Sequence, residues 1–162
     1  MATQIHSKVD IGLKDSERKG VSGVLNALLA DEYVLYTKTR NFHWNVTGPN
    51  FNELHAFFQT QYEALDGIID QMAERVRALD EKPASTLREF LDLTRLQEDR
   101  KNLKASEMIH VLLADHESVI RQLREDLDVV EDQFNDAGNA DEITGWLKQH
   151  EQMAWMLRSL CD

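Results

Sequence analysis

Apolar residues recur at three- and four-residue steps through two consecutive stretches separated by Gly48-Pro49, and no other pattern constrains the fold as strongly. In the first, from about Val21 to Val46, the stripe runs Val24, Leu25, Leu28, Leu29, Leu35 and Phe42. In the second, from Phe51 to about Leu79, it runs Phe51, Leu54, Phe58, Tyr62, Leu65, Ile69, Met72 and Val76. That spacing draws one apolar face along an α-helix. Proline disfavours helical geometry in the residue before it, so Gly48-Pro49 ends the first helix. Asn50-x-x-Glu53 then reads as a capping box for the second. A connection this short makes the two helices antiparallel neighbours.

The remaining sequence continues in the same manner. Pro83 stops the second helix, and Thr86-x-x-Glu89 caps a short helix through Leu87, Phe90 and Leu91. A third long helix is expected from about Ser106 to Phe134, with Met108, Leu112, Val119, Leu123, Leu127, Val130 and Phe134 on one seam. Gly138 and Asn139 supply a turn, and Asp141 caps a fourth helix to Leu160, whose apolar side is Trp146, Met153, Met156, Leu157 and Leu160. Seven Gly and two Pro leave few places to interrupt a helix. The expected fold is all-α: a ferritin-like four-helix bundle with a short helix in the crossover between the second and third long helices. At 162 residues this is one domain, 20–162, preceded by a polar tail, 1–19.

Net charge bounds the partners. With 29 acids against 18 bases the chain carries −11, which repels nucleic acid and draws cations. In the tail, Lys8, Lys14, Arg18 and Lys19 against Asp10, Asp15 and Glu17 leave +1. That stretch is a frayed terminus or a weak nucleic-acid-binding arm. No apolar run is long enough for a membrane span, and the start lacks the apolar core of a secretory signal. The single cysteine, Cys161, fits a reducing cytoplasm, with the nucleoid as a further location if DNA is bound.

The segment FHWNVTGPNFNELH carries the chemistry. His43 lies about one turn before the first loop and His55 about one turn after it, at the same end of an antiparallel hairpin. Asp70 and Glu74 are four apart and share a helix face. Imidazole nitrogen with carboxylate oxygen suits iron, manganese or zinc. Yet Asp70 lies some 22 Å along the axis from His55, at about 1.5 Å per residue, while metal–ligand bonds are only about 2 Å. One chain cannot bring all four together. Two hairpins related by a twofold axis can, creating two identical centres. Taken singly, a histidine is more often a core hydrogen-bonder, and a helical carboxylate pair a solvated face.

His43-Trp44-Asn45, Gly48, Phe51, His55 and Asp70-x-x-Ala73-Glu74-Arg75 resemble the signature of the Dps-type mini-ferritins, and the likeness extends to Trp155 in the last helix. The resemblance implies a hollow dodecamer built from twofold dimers, with ferroxidase centres of two irons each at the twofold interfaces. Such proteins oxidise Fe(II), in most cases preferably with hydrogen peroxide, store the ferric product and so limit oxidative damage. By position, it makes His43 and His55 ligands from one subunit and Asp70 and Glu74 ligands from its partner. Trp44 neighbours the centre, either intercepting stray oxidising equivalents or packing at the dimer interface. One position departs from the pattern: Gln59 stands where the family usually has an acid. A neutral amide binds a dication more weakly, Glu63 one turn on is a compensating oxygen, and zinc or a single iron becomes a substitute occupant. Acidic residues at the turn into the last helix line threefold pores in this family, which makes Asp136 and Asp141 candidate cation guides. Some members bind DNA, so the rival expectation is a DNA-compacting protein with an impaired metal centre.

Other candidates are weaker. Glu107-x-x-His110 is half of the paired motif that di-iron bundles use. Asp115-His116-Glu117 spreads around its helix and reads as surface. The six acids between Glu125 and Asp136, with no base among them, read as a solvated face.

Overall fold

The computed structural model describes residues 9–98 and 102–161. Five helices follow one another: α1 Asp15–Asn45, α2 Phe51–Ala78, α3 Leu87–Leu93, α4 Ala105–Asp132 and α5 Ala137–Arg158, with no strand among the described residues. This is the expected ferritin-like bundle, with α3 in the crossover. The long helices pack chiefly as two hairpins, α1 with α2 and α4 with α5, and α3 lies on α1. Leu25, Leu28, Leu35, Phe42, Phe58, Leu65, Met72, Leu112, Val119, Leu123, Trp146 and Leu157 fill the core. Among the described residues no helix is long and apolar enough to cross a membrane.

Helix ends differ from expectation in three places, each for a local reason. First, α1 begins at Asp15, inside the stretch expected to fray. The Glu17 carboxylate accepts the Lys14 N–H at 2.7 Å, and buried Arg18 donates through Nη1 to the Leu79 carbonyl at 2.7 Å. Lys8 and the rest of residues 1–8 lie outside the described residues. Second, Asn50 is the N-cap of α2, but its φ of −100° and ψ of 28° are not extended, and its side chain makes no capping bond. The turn closes through backbone instead, with Gly48 at φ +122° accepting from the Phe51 N–H at 3.1 Å. Third, α5 is capped by Asp136 rather than Asp141, through the Asn139 N–H at 3.1 Å. The left-handed residue of that turn is Asn135, at φ +52°, so Gly138 and Asn139 fall within the helix.

The capping box at α3 forms as expected. Glu89 N–H donates to Thr86 Oγ1 at 3.2 Å, while Glu89 Oε2 accepts from Thr86 N–H at 2.9 Å. Phe90 is the buried residue of α3 and stacks on Tyr33 of α1, ring centroids 4.0 Å apart. Thr86→Ala should therefore cost about 1 kcal/mol and speed amide exchange in α3 ahead of the long helices. Exchange in α3 unchanged by the substitution would show that the Phe90 stack alone holds it.

Candidate metal centre

The hairpin of α1 and α2 brings His43 and His55 face to face. Their rings stack with centroids 3.7 Å apart and planes 22° from parallel. His43 Nδ1 lies 2.7 Å from the His55 carbonyl oxygen, and His55 Nδ1 lies 2.8 Å from the His43 carbonyl oxygen. A carbonyl only accepts, so both Nδ1 atoms carry the proton and donate. In the neutral rings Nε2 then holds the lone pair, the state a metal ligand requires. His43 is buried and His55 half-buried. Phe51 lies 5.1 Å from the His55 ring, and Tyr62 meets His43 edge-on at 5.2 Å. Beside them Arg40 spans the faces of Tyr62, Trp44 and Tyr36, and donates to the Tyr36 hydroxyl at 2.6 Å.

Asp70 and Glu74 lie further along α2, and both are exposed. Among the described residues no three His, Cys, Asp or Glu side chains converge on one metal position. The two histidines are thus together and the two carboxylates apart from them. Gln59 and Glu63 are exposed on α2, and the Gln59 amide donates to Glu63 Oε1 at 2.7 Å.

The other candidates sort by their partners. Asp136 is buried, and both its oxygens accept from Asn139, whose own Oδ1 takes the Arg75 Nε–H at 2.9 Å. Asp141 is exposed. Glu107 accepts the Lys104 N–H at 2.7 Å and His110 Nδ1 donates to the Ser106 carbonyl at 2.7 Å, so both serve the start of α4. Asp126, in the acidic run, pairs with Arg95 at 2.9 Å, and burial pushes its carboxyl up.

The surface reading of Asp115-His116-Glu117 fails at its centre. His116 is fully buried among α1, α4 and α5, where its Nδ1 lies 3.0 Å from Nδ1 of buried His150. His150 Nε2 in turn lies 3.0 Å from Oε1 of fully buried Glu32. Burial first, and His150 second, hold the His116 pKa well below the usual imidazole value. All three residues occupy positions of the apolar stripes: Glu32 between Leu28 and Leu35, His116 between Leu112 and Val119, His150 between Trp146 and Leu157. A polar residue at a stripe position is the sequence signal of such burial.

Residues 23–162 match the family model for the ferritin-like domain. An uncharacterized low temperature-induced protein of Nostoc is 44% identical over 96% of this chain and 87% of its own. DNA protection during starvation protein 2 of Bacillus anthracis is 36% identical over 89% of this chain and 98% of its own. Among solved structures, Dps from Bacillus brevis superimposes with a TM-score of 0.86 at 34% identity, covering 91% of this chain and 99% of that one. A Vibrio cholerae Dps, described as a member of the ferritin-like diiron-carboxylate proteins, gives 0.88 at 27% identity over 98% and 99%. The chain belongs to the Dps family of ferritin-like proteins.

Proposed function

We propose that this protein is a ferroxidase and iron store whose centres form between twofold-related subunits. Each would take His43 and His55 from one subunit and Asp70 and Glu74 from the other. The observation that carries this reading is the stacked histidine pair, because each ring spends its Nδ1 proton on the other's backbone and leaves Nε2 free. Fe(II) is the substrate. Two ferrous ions each give one electron to hydrogen peroxide, the O–O bond breaks, and two protons complete two waters. Delivering both electrons together avoids the one-electron route to hydroxyl radical. Anionic Asp70 and Glu74 favour the ferric product electrostatically. With Gln59 in place of an acid the second iron is held less tightly, and zinc competes for the centre.

The surface supports a closed assembly, which we take to be the dodecamer. One apolar cleft between α1 and α3 is lined by Tyr33, Val34, Trp44, Leu87, Phe90 and Leu91, of which Trp44 and Leu87 are 63% and 72% exposed. A second groove, between the start of α2 and the end of α5, joins Leu54 and Phe57 to Trp155, Met156 and Leu160. Exposed apolar patches of this kind mark protein interfaces, and a dodecamer with twofold and threefold contacts needs more than one. Asp141 would guide cations at a threefold pore, whereas Asp136 does so only from behind its capping bonds. We place the protein in the cytoplasm. The DNA-compacting alternative is weakened because one of its four tail bases, Arg18, is buried against Asp15 and the Leu79 carbonyl.

Stopped-flow oxidation of anaerobically added Fe(II) tests the proposal. The expected result is fast, saturable oxidation by peroxide, faster than by dioxygen, consuming about one peroxide per two irons. His43→Ala with His55→Ala should slow it at least about 100-fold in an intact assembly. Unchanged oxidation by that variant would place the chemistry elsewhere.

A further inference from the structure

Each of the four long helices buries at least one polar side chain that keeps an unpartnered atom. Besides Arg18, Ser22 and Arg40 of α1, they are Glu32 on α1 (Oε1 and Oε2), Gln61 on α2 (Oε1), His116 on α4 (Nε2) and His150 on α5 (Nε2). Glu32, His116 and His150 have no solvent exposure, and Gln61 has 2%. An ionised carboxylate without hydrogen bonds in such surroundings is among the costliest things a fold can bury. Such a group is relieved either by a proton or by a cation beside it.

The geometry identifies where. Glu32 Oε1 and His150 Nε2 approach to 3.0 Å, yet neither atom has a hydrogen-bond partner, so the ring N–H axis is not aimed at the oxygen. Two donors at that separation, each about 2.1 Å from a shared ion, subtend roughly 90° at it. Adjacent ligands of a six-coordinate metal stand at that angle. The second carboxylate oxygen of Glu32 is also unpartnered and available to the same ion. On the other side of the ring, His150 Nδ1 lies 3.0 Å from His116 Nδ1. If Nε2 carries a metal, Nδ1 carries the proton and donates it to His116, the outer hydrogen bond that orients a ligating imidazole. On the remaining helix, Gln61 donates through Nε2 to the Met153 carbonyl at 3.4 Å, about one turn beyond His150 on α5, and its Oε1 is unpartnered.

We infer that this subunit carries a second, internal site for a first-row divalent cation, held by the Glu32 carboxylate and His150 Nε2 and oriented by His116. Oxygen and imidazole donors select iron, manganese, cobalt or zinc over soft Cu(I). The site is independent of the intersubunit centre, sharing none of its residues and lying wholly inside one bundle. With two protein side chains as ligands it is a weak site, loaded through local opening or during folding.

Cobalt is the probe. Crystals of the unmodified protein would be loaded with Co(II) in two ways, by equilibration and by refolding in its presence. Anomalous difference maps should place a peak between Glu32 and His150 in every subunit, apart from any peak at the subunit interface. In solution, the His43→Ala/His55→Ala protein should still take up Co(II), and adding Glu32→Gln should abolish that uptake. His116→Gln, a positioning change, should weaken binding roughly 10- to 100-fold and shift the cobalt absorption bands. No internal peak under either loading would overturn the inference, the cation then being a proton shared between Glu32 and His150. So would cobalt uptake that Glu32→Gln leaves intact. A peak confined to the interface would overturn it while leaving the proposed ferroxidase centre standing.

Discussion

Subunits carrying His43→Ala/His55→Ala and subunits carrying Asp70→Asn/Glu74→Gln, each inactive alone, should together recover about a quarter of the native oxidation rate after co-refolding in equal amounts. Random pairing makes half of the twofold dimers mixed, and each mixed dimer has one complete centre and one doubly defective centre. The expectation follows from separation along α2: the histidines are stacked at one end of the hairpin, while Asp70 and Glu74 stand exposed further along the helix. Native mass spectrometry would verify that mixed dimers exist. Mixed dimers with no recovered activity would mean that one subunit supplies the whole centre. Recovery is a stringent result, because a merely structural role for either pair cannot generate it.

The helical architecture was legible because its signals are local. Stripe spacing, Gly48-Pro49 and Thr86-x-x-Glu89 depend only on neighbours in the chain, and the helices they announce lie within a few residues of expectation. Helix ends were harder. Arg18 extends α1 by reaching the Leu79 carbonyl 61 residues away, a contact with no sequence signature. Asn50 has the right identity for a cap but the wrong backbone angles, which the turn at Gly48 imposes.

The histidine pair was legible as a pair, because a short loop forces residues on either side of it together. Its tautomer was not. That rests on two backbone carbonyls which only the folded hairpin turns toward the rings. The burial of His116 was not legible for a different reason. Asp115 and Glu117, its neighbours in sequence, say nothing of that burial, for Asp115 pairs with buried Lys38 of α1 and Glu117 with Arg158 on the exterior. The position of His116, four after Leu112 and three before Val119, decides its burial.

Asp31→Ala should be the most destabilising single change outside the apolar core, because this carboxylate fastens the crossover to the bundle. Asp31 is 1% exposed and accepts three hydrogen bonds from two consecutive residues after α3. Thr94 Oγ1 donates to Oδ1 at 2.9 Å, Arg95 N–H to Oδ1 at 2.6 Å, and Arg95 Nε to Oδ2 at 2.8 Å. Truncation deprives the half-buried Thr94 hydroxyl and the Arg95 N–H of their acceptor and returns Arg95 to Asp126 alone. Loss of a buried, hydrogen-bonded charge costs about 3 kcal/mol. In a chain of this length that lowers Tm by roughly 6 to 12 °C at fixed protein concentration. Asp31→Asn keeps the shape and part of the bonding, so it should fall between. The functional consequence is separable from the loss of stability. The fastening sits directly after α3, whose Leu87 and Leu91 line the apolar cleft beside Trp44. If that cleft is the twofold contact, Asp31→Ala assembles poorly and loses oxidation well below its melting temperature, whereas Thr86→Ala, weakening α3 at its other end by less, retains both. Full assembly and full activity in Asp31→Ala would show that the α3 face is not part of the interface that completes the centre.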